Sequence, residues 1–291
     1  MERRSFLALL AANSVVALAA KPDNSAPANE FSFVAFGDMG TGDDEQQNLA
    51  NGMTAYQEKH PFDTVLMLGD NIYPDGNISL VKQKFERPYA ELLKRGVKFH
   101  AVLGNHDVRK GRESEMKYPE FNMNNRLYYT FVKGDGLIEF FALDSTNMTG
   151  QQLLWLDDAL KTSTAIWKIV YFHHPIYSSA ITHGSDMKLR GQLEPLLVKY
   201  GVAVTLSGHD HTYERIKPQR GVQHFVSGAG GQLRRGDLDK RTSFYDEGND
   251  KVNSYMYFEV TPEKLSFKCL DAQGSTLDKG SISRAHAVAG Q

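Results

Sequence analysis

Five apolar runs in this chain stop in the same way, at a glycine or an aromatic followed at once by a carboxylate, an amide or an imidazole. FSFVAF (31–36) runs into Gly37 and Asp38, and TVLML (64–68) into Gly69, Asp70 and Asn71, with Tyr73 just beyond. KFHAVL (98–103) precedes Gly104, Asn105, His106 and Asp107; WKIVYF (167–172) precedes His173 and His174; VAVTLS (202–207) precedes Gly208, His209, Asp210 and His211. Short runs of this kind read as strands, and LIEFFAL (137–143) and VQHFVS (222–227) have the same composition. Helical periodicity separates several of them, at 43–60, 79–96, 150–163 and 185–201. Alternation of strand and helix predicts an α/β chain rather than an all-β one. The carboxyl ends of strands in such a sheet open onto one crevice, so the polar clusters are expected to converge.

The C-terminal YMYFEVTPEKLSFKCLDAQG (255–274) alternates with period two about a Thr-Pro-Glu-Lys turn and predicts an antiparallel hairpin. With 291 residues, 41% of them hydrophobic, and no second linker, residues 31–291 read as one catalytic-size domain. Residues 1–20, with a basic start, an apolar middle and small residues at the end, read as a cleavable export signal, and 21–30 as a linker. Arg3 and Arg4 ahead of Ser5, Phe6 and Leu7 resemble a twin-arginine signal, so the expected destination is periplasmic or extracellular. A formal charge of −2 provides no general basic field, which argues against binding a nucleic acid backbone or a membrane after signal removal. The single cysteine, Cys269, excludes an internal disulfide and reads as a packing residue. Nothing in the sequence sets the oligomeric state.

Taken singly, each polar cluster has an ordinary explanation. Gly-Asp after a strand makes turns and helix caps, and a lone histidine is more often a hydrogen-bonded core residue than a ligand. Turn chemistry accounts for Gly69, Asp70 and Asn71 but not for Tyr73. The joint occurrence of Asp38, Asp70, Asn105, His173, His209, His211 and Tyr73 at strand exits is harder to explain as unrelated turns. Oxygen and imidazole donors without thiolate suit iron, zinc or manganese. Seven such side chains exceed one ion's needs and suit two ions sharing a bridging carboxylate, as in two-metal phosphoester hydrolysis.

In their order, Gly37-Asp38-Met39-Gly40, Gly69-Asp70-Asn71-Ile72-Tyr73, Gly104-Asn105-His106-Asp107, Val170-Tyr171-Phe172-His173 and Gly208-His209-Asp210-His211 resemble the purple acid phosphatases. That family lies within the calcineurin-like metallophosphoesterases, and this chain looks like its small single-domain form. The resemblance implies a four-layer α/β/β/α sandwich of two mixed sheets. It also implies acid phosphatase activity on small phosphate monoesters; because two cations would neutralise the phosphoryl charge and supply hydroxide, direct attack by a metal-bound hydroxide without a phosphoenzyme is expected. It implies an Fe(III) held by Asp38, Tyr73 and His211, a divalent iron, zinc or manganese held by Asn105, His173 and His209, and Asp70 bridging them. His106 and His183 would contact the substrate, and Asp107 would orient His106. A phosphodiesterase or nucleotide phosphatase on the same centre, or a non-catalytic binder of metal or phosphoryl ligands, are the alternatives.

Other features keep plainer readings. His60, His100, His224 and His286 lack nameable partners, and His174 reads either as core or as support for the site. Gly228-Ala229-Gly230-Gly231 reads as a tight turn, and the acidic GDDEQQ (42–47) as a helix start rather than a calcium loop.

Overall fold

The computed structural model describes residues 30–284; the expected signal, the linker up to residue 29 and His286 lie outside them. The chain enters through β1 (Phe31–Phe36), α1 (Asp44–Gln57), β2 (Thr64–Met67), α2 (Ala90–Lys94) and β3 (Lys98–Ala101). It continues through α3 (Arg112–Lys117), β4 (Tyr129–Lys133), β5 (Ile138–Ala142), α4 (Gly150–Thr162), β6 (Trp167–Tyr171), α5 (Met187–Lys199) and β7 (Val204–Ser207). Then follow β8 (Tyr213–Ile216), β9 (Gln223–Ser227), β10 (Tyr245–Asn249), β11 (Ser254–Val260), β12 (Lys264–Asp271) and β13 (Thr276–Ser283). The strands form a six-stranded sheet, β13-β12-β11-β1-β2-β3, and a seven-stranded one, β10-β8-β9-β7-β6-β5-β4. Both are mixed: β1, β2 and β3 pair in parallel beside antiparallel β11, and β5, β6, β7 and β9 pair in parallel between antiparallel β4 and β8.

Side-chain alternation along the central strands builds the layers. Phe140 and Ala142 of β5, and Ile169 and Tyr171 of β6, join the core between the sheets. Their neighbours Phe141 and Val170 join a second cluster with Leu156 and Leu160 of α4 and Leu189, Leu193 and Leu197 of α5. Burial on both faces is why these strands read as unbroken apolar runs. Across the gap, Phe33 of β1 meets Phe140 at 5.0 Å, and Phe225 of β9 meets Phe258 of β11 at 6.1 Å. Phe36, on the opposite face of β1, packs against Tyr89, whose hydroxyl lies 3.3 Å from Gln46 of α1. The order is helix, sheet, sheet, helix, as the resemblance implies.

Several elements depart from the sequence reading. The helix expected over 79–96 is broken into a 3-10 turn (Ile78–Leu80), a π-helical stretch (Lys82–Glu86) and the short α2. Pro88 explains the break, because it has no N–H to donate and its ring crowds the preceding turn. The strands β4, β8, β10 and β13 carry polar side chains at or near sheet edges, where backbone pairing continues without an apolar signature, and they were not legible. The hairpin at 255–274 is present as β11 and β12, with Thr261 N–H on the Lys264 carbonyl at 2.8 Å. Cys269 is buried within it. Asp43 caps α1 by accepting from Gln46 N–H at 3.0 Å, so GDDEQQ is a helix start.

Of the histidines left without partners, the three within the described residues find ordinary ones. His60 stacks on Tyr56 and His100 on Phe131, and His224 Nδ1 lies 2.6 Å from Thr205 Oγ1. Burial, and then the charge of Arg190, pushes the His224 ring down to about 3. Its folded pKa lies below the unfolded value of about 6.5, so the unfolded chain binds more protons between those limits and stability rises with pH there. The contribution is fully present above about pH 6.5 and fades as pH falls toward about 3. Denaturant titrations at pH 7 and pH 4.5 should show roughly 3 kcal/mol more acid destabilisation in the wild type than in H224Q.

Candidate metal centre

The loops after β1, β2, β3, β6 and β7 meet where the carboxyl ends of the two sheets face each other, as the sequence predicts. Gly37 N–H donates to Ser227 O at 2.7 Å, and Asp38 N–H to Gly69 O at 2.9 Å, tying the loops together. The glycines before the polar residues permit this approach. Gly69 has φ +89°, and a Cβ on it would stand 2.6 Å from His173 Nδ1. On Gly104 a Cβ would come within 2.1 Å of Asp70 Oδ1, a clash in rigid surroundings. Asp38, Asp70 and His209 themselves take left-handed φ values of 57°, 53° and 71°. Non-glycine residues adopt that region at a cost, and such strain gathers at functional sites.

Two groups of donors result. In the first, Tyr73 Oη lies 3.1 Å from Asp38 Oδ1 and 3.2 Å from His211 Nε2, and the last two atoms are 3.5 Å apart. In the second, His173 Nε2 lies 3.0 Å from Asn105 Oδ1 and 3.2 Å from His209 Nδ1. Asp70 stands with both: its Oδ1 is 3.6 Å from His173 Nε2, and Asp38, Asp70 and His173 offer ligand atoms all within 4.8 Å of one another.

The electrostatics of this arrangement call for a cation. His173 Nδ1 is 2.9 Å from the Leu68 carbonyl, which makes Nδ1 the protonated nitrogen and leaves an Nε2 lone pair facing Asn105 Oδ1. Burial holds the His173 ring well below its ordinary pKa, and burial followed by the His173 charge lowers His209 to about 2. Both rings are therefore neutral donors of lone pairs. Burial raises Asp38 to about 6, and burial followed by the charges of Asp38 and Asp70 pushes the Tyr73 phenol far above its ordinary value. For His211, burial pulls the pKa down but the hydrogen bond and charge of Asp38 outweigh it, leaving the ring raised. The His173 Nε2 lone pair facing the Asn105 oxygen sets acceptor against acceptor, which is costly unless a positive ion lies between them, and the donor set as a whole fits iron, zinc or manganese.

The remaining expected residues are distributed less simply. His106 sits at the mouth, with its N–H on Asp70 Oδ1 at 2.8 Å and its ring 4.6 Å from that of Tyr73. His183 is exposed on the loop after β6, its ring 4.4 Å from His209. Asp107 lies beneath the site rather than against the His106 ring. Its carboxylate accepts from the N–H groups of Gly104, Asn71 and Ile72 at 2.8, 2.8 and 3.1 Å, and from Asn71 Nδ2 at 3.1 Å. The His106 ring is held instead by the Pro74 carbonyl and by Arg109. His174, left open by the sequence, brings a ligand atom within 4.8 Å of those of His173 and His209, with Nδ1 3.0 Å from Ser145 Oγ. The only signal for it was the His-His doublet. The glycine-rich turn at 228–231 packs on the Asp38 loop, with Gly230 N–H on Gly37 O at 3.1 Å.

The sequence profile of the calcineurin-like phosphoesterases matches residues 31–213, which span all of these strand exits. The chain belongs to that family. This phosphoesterase is 28% identical to purple acid phosphatase 7 of Arabidopsis thaliana, over 88% of its own length and 87% of the relative's. It is 26% identical to the tartrate-resistant acid phosphatase type 5 of Rattus norvegicus, over 89% and 92%. Among solved structures, GAP50, the anchor in the inner membrane complex of Plasmodium, has the same fold, with a TM-score of 0.76 at 20% identity over 90% of this chain and 94% of that one. The purple acid phosphatase relatives imply a binuclear metal centre, and Asp38, Asp70 and His173 form a group that could hold a metal ion.

Proposed function

We propose that this phosphoesterase is an acid phosphatase that hydrolyses small phosphate monoesters at a binuclear centre of Fe(III) and a divalent iron, zinc or manganese. The observation that carries the proposal is the phenol of Tyr73, buried 3.1 Å from Asp38 and 3.2 Å from His211 among groups that raise its pKa. Asp38, Tyr73 and His211 would hold the trivalent ion, which would offset the cost of ionising the phenol; Asn105, His173 and His209 would hold the divalent one, and Asp70 would serve both. When bound, the two ions would supply neutralisation of the phosphoryl charge and would lower the pKa of a water from about 15.7 to about 7 for zinc, and further for a trivalent ion. Hydrolysis breaks the bond between phosphorus and the ester oxygen, forms one to the water oxygen, and requires a proton on the departing alcohol. His106 and His183, one on each side of the mouth, stabilise the phosphoryl oxygens or deliver that proton. Asp107 and Asn71 hold the Asp70 and Asn105 loops at their separation. Export by the N-terminal twin-arginine-like signal belongs to the same reading.

GAP50 warns that this fold serves other ends, because fold alone does not give function. Against a non-catalytic role, all seven expected donors are present and converge. The test is to purify the protein, measure iron, zinc and manganese, record the visible spectrum, and compare p-nitrophenyl phosphate with its bis-ester. Iron with a visible absorption band and faster monoester hydrolysis are expected. A colourless protein with two equivalents of zinc or manganese overturns the Fe(III) assignment, and faster bis-ester hydrolysis overturns the monoester assignment.

A further inference from the structure

His183 is exposed, yet the loop that carries it is tied down from below. The buried Asp237 supplies several of the ties. Its Oδ1 accepts from the Thr182 N–H and hydroxyl at 3.0 and 2.6 Å, and its backbone carbonyl accepts from Ile181 N–H at 2.7 Å. The residues that follow extend the contact, with Leu238 bridging Ala180 and Asp239 N–H on the Ser179 carbonyl at 3.0 Å. Ser179 N–H donates to both carboxylate oxygens of Glu214, at 2.8 and 2.9 Å. Ser178 N–H on Ser185 Oγ at 3.0 Å closes the base of the loop, and Gly184, at φ +72°, turns the chain directly after His183. The second oxygen of Asp237 faces Arg234. Asp237 Oδ2 and Arg234 Nη1 lie 3.7 Å apart, neither has a hydrogen-bond partner, and they complete each other as an ion pair. Arg234 in turn gives its backbone N–H to the His211 carbonyl at 3.0 Å, and its charge acts on the rings of both His183 and His211. One chain of contacts therefore runs from the His211 backbone through Arg234 and Asp237 to Thr182, next to His183.

A side chain that takes part in a reaction must be held close to its productive place, and a displacement of about 1 Å can cost about 10²-fold in rate. An exposed imidazole on a loop meets that demand only if the backbone beside it is fixed. Asp237 fixes the two residues immediately before it. A carboxylate suits the task, because hydrogen bonds to a charged acceptor are about twice as strong as neutral ones, and the cation on its other oxygen keeps it from turning. Resting on the phosphatase reading, we propose that Asp237 is a positioning residue: with Arg234 holding one carboxylate oxygen, it fixes Ile181 and Thr182 and thereby sets where the His183 ring stands over the metal centre.

The test is a double-mutant cycle on the metal-loaded protein with p-nitrophenyl phosphate, at matched metal content. H183A and D237A are each expected to lower kcat by at least about tenfold with KM changed far less, the pattern of an interaction made in the transition state. The double variant should fall within about twofold of H183A, because Asp237 acts through a side chain already removed. If Asp237 served stability alone, the two losses would multiply. D237N, which keeps an oxygen for Thr182 but no charge for Arg234, should recover part of the loss. Hydrogen exchange gives a readout independent of catalysis: in D237A the amides of Ile181 and Thr182 should exchange at least about tenfold faster, with those of β11 and β12 unchanged. If exchange rises throughout the chain, D237A has lost the fold and D237N carries both measurements. Multiplying losses, a wild-type rate in either single variant, or unchanged exchange at 181 and 182 overturns the inference. If p-nitrophenyl phosphate is hydrolysed and the losses multiply, this inference alone fails. If no ester is hydrolysed while exchange at 181 and 182 rises as expected, the phosphatase reading fails and the tether of the His183 loop stands.

Discussion

D70N is expected to lower kcat/KM on p-nitrophenyl phosphate by at least about 10³-fold, or about 4 kcal/mol, and to leave the purified protein with one metal equivalent in place of two. Asp70 stands with both donor groups, its Oδ1 3.6 Å from His173 Nε2 and its ligand atom within 4.8 Å of that of Asp38. An amide can still accept the 2.8 Å bond from His106 N–H, so the loop survives the change. It cannot supply a negative charge to two cations at once. The same substitution has the opposite effect without metal, because the Asp70 charge raises the pKa of both Asp38 and Asp107 and repels them when all are ionised. The unfolding temperature of the chelated protein should therefore rise in D70N while that of the metal-loaded protein falls. Two metal equivalents and full activity in D70N would remove Asp70 from the bridging position.

Y73F is expected to abolish the visible absorption band while leaving the secondary structure intact. A free phenol has a pKa near 10, so ionising it at pH 7 costs roughly 4 kcal/mol. Burial and the charges of Asp38 and Asp70 make ionisation harder still here, so a phenolate at this position requires a strong cation beside it. Charge transfer from that phenolate to Fe(III) is the expected source of the band, and phenylalanine has no oxygen to give. The substitution also removes the 3.1 Å contact with Asp38. An unchanged spectrum in Y73F would remove the reason for placing iron at Asp38, Tyr73 and His211.

Most of the candidate site was legible in the sequence because local rules write it there. A ligand at the end of a buried strand must leave the strand sharply and approach another loop closely, and both demands select glycine before it. Gly69 and Gly104 show why, since a side chain at either would collide with His173 or Asp70. The supporting residues were less legible. Asp107 follows His106 directly in sequence, but its carboxylate turns away to bind N–H groups of the Asp70 loop, contacts 35 and 36 positions apart along the chain. Arg234 belongs to no motif, and its place beside His183 depends on Asp237 reaching Thr182 across 55 positions. The polar strands β10 and β13 escaped notice because backbone pairing at a sheet edge places little demand on side-chain type.

The sequence by itself determined the buried strands, the glycine-led exits, the chemistry of the donors and their order along the chain. These follow from periodicity and from what individual side chains can bond. Only the tertiary structure decided which donors stand together. Asp38 and Tyr73 are 35 positions apart, His211 lies 138 beyond Tyr73, and His173 lies 68 beyond Asn105. They meet because two sheets pack face to face with the carboxyl ends of their parallel strands at one edge, and the Leu68 carbonyl after β2 of one sheet accepts a hydrogen bond from His173 Nδ1–H after β6 of the other. Which lone pairs face one another, and hence where a positive charge is wanted, is a property of that meeting rather than of any single segment.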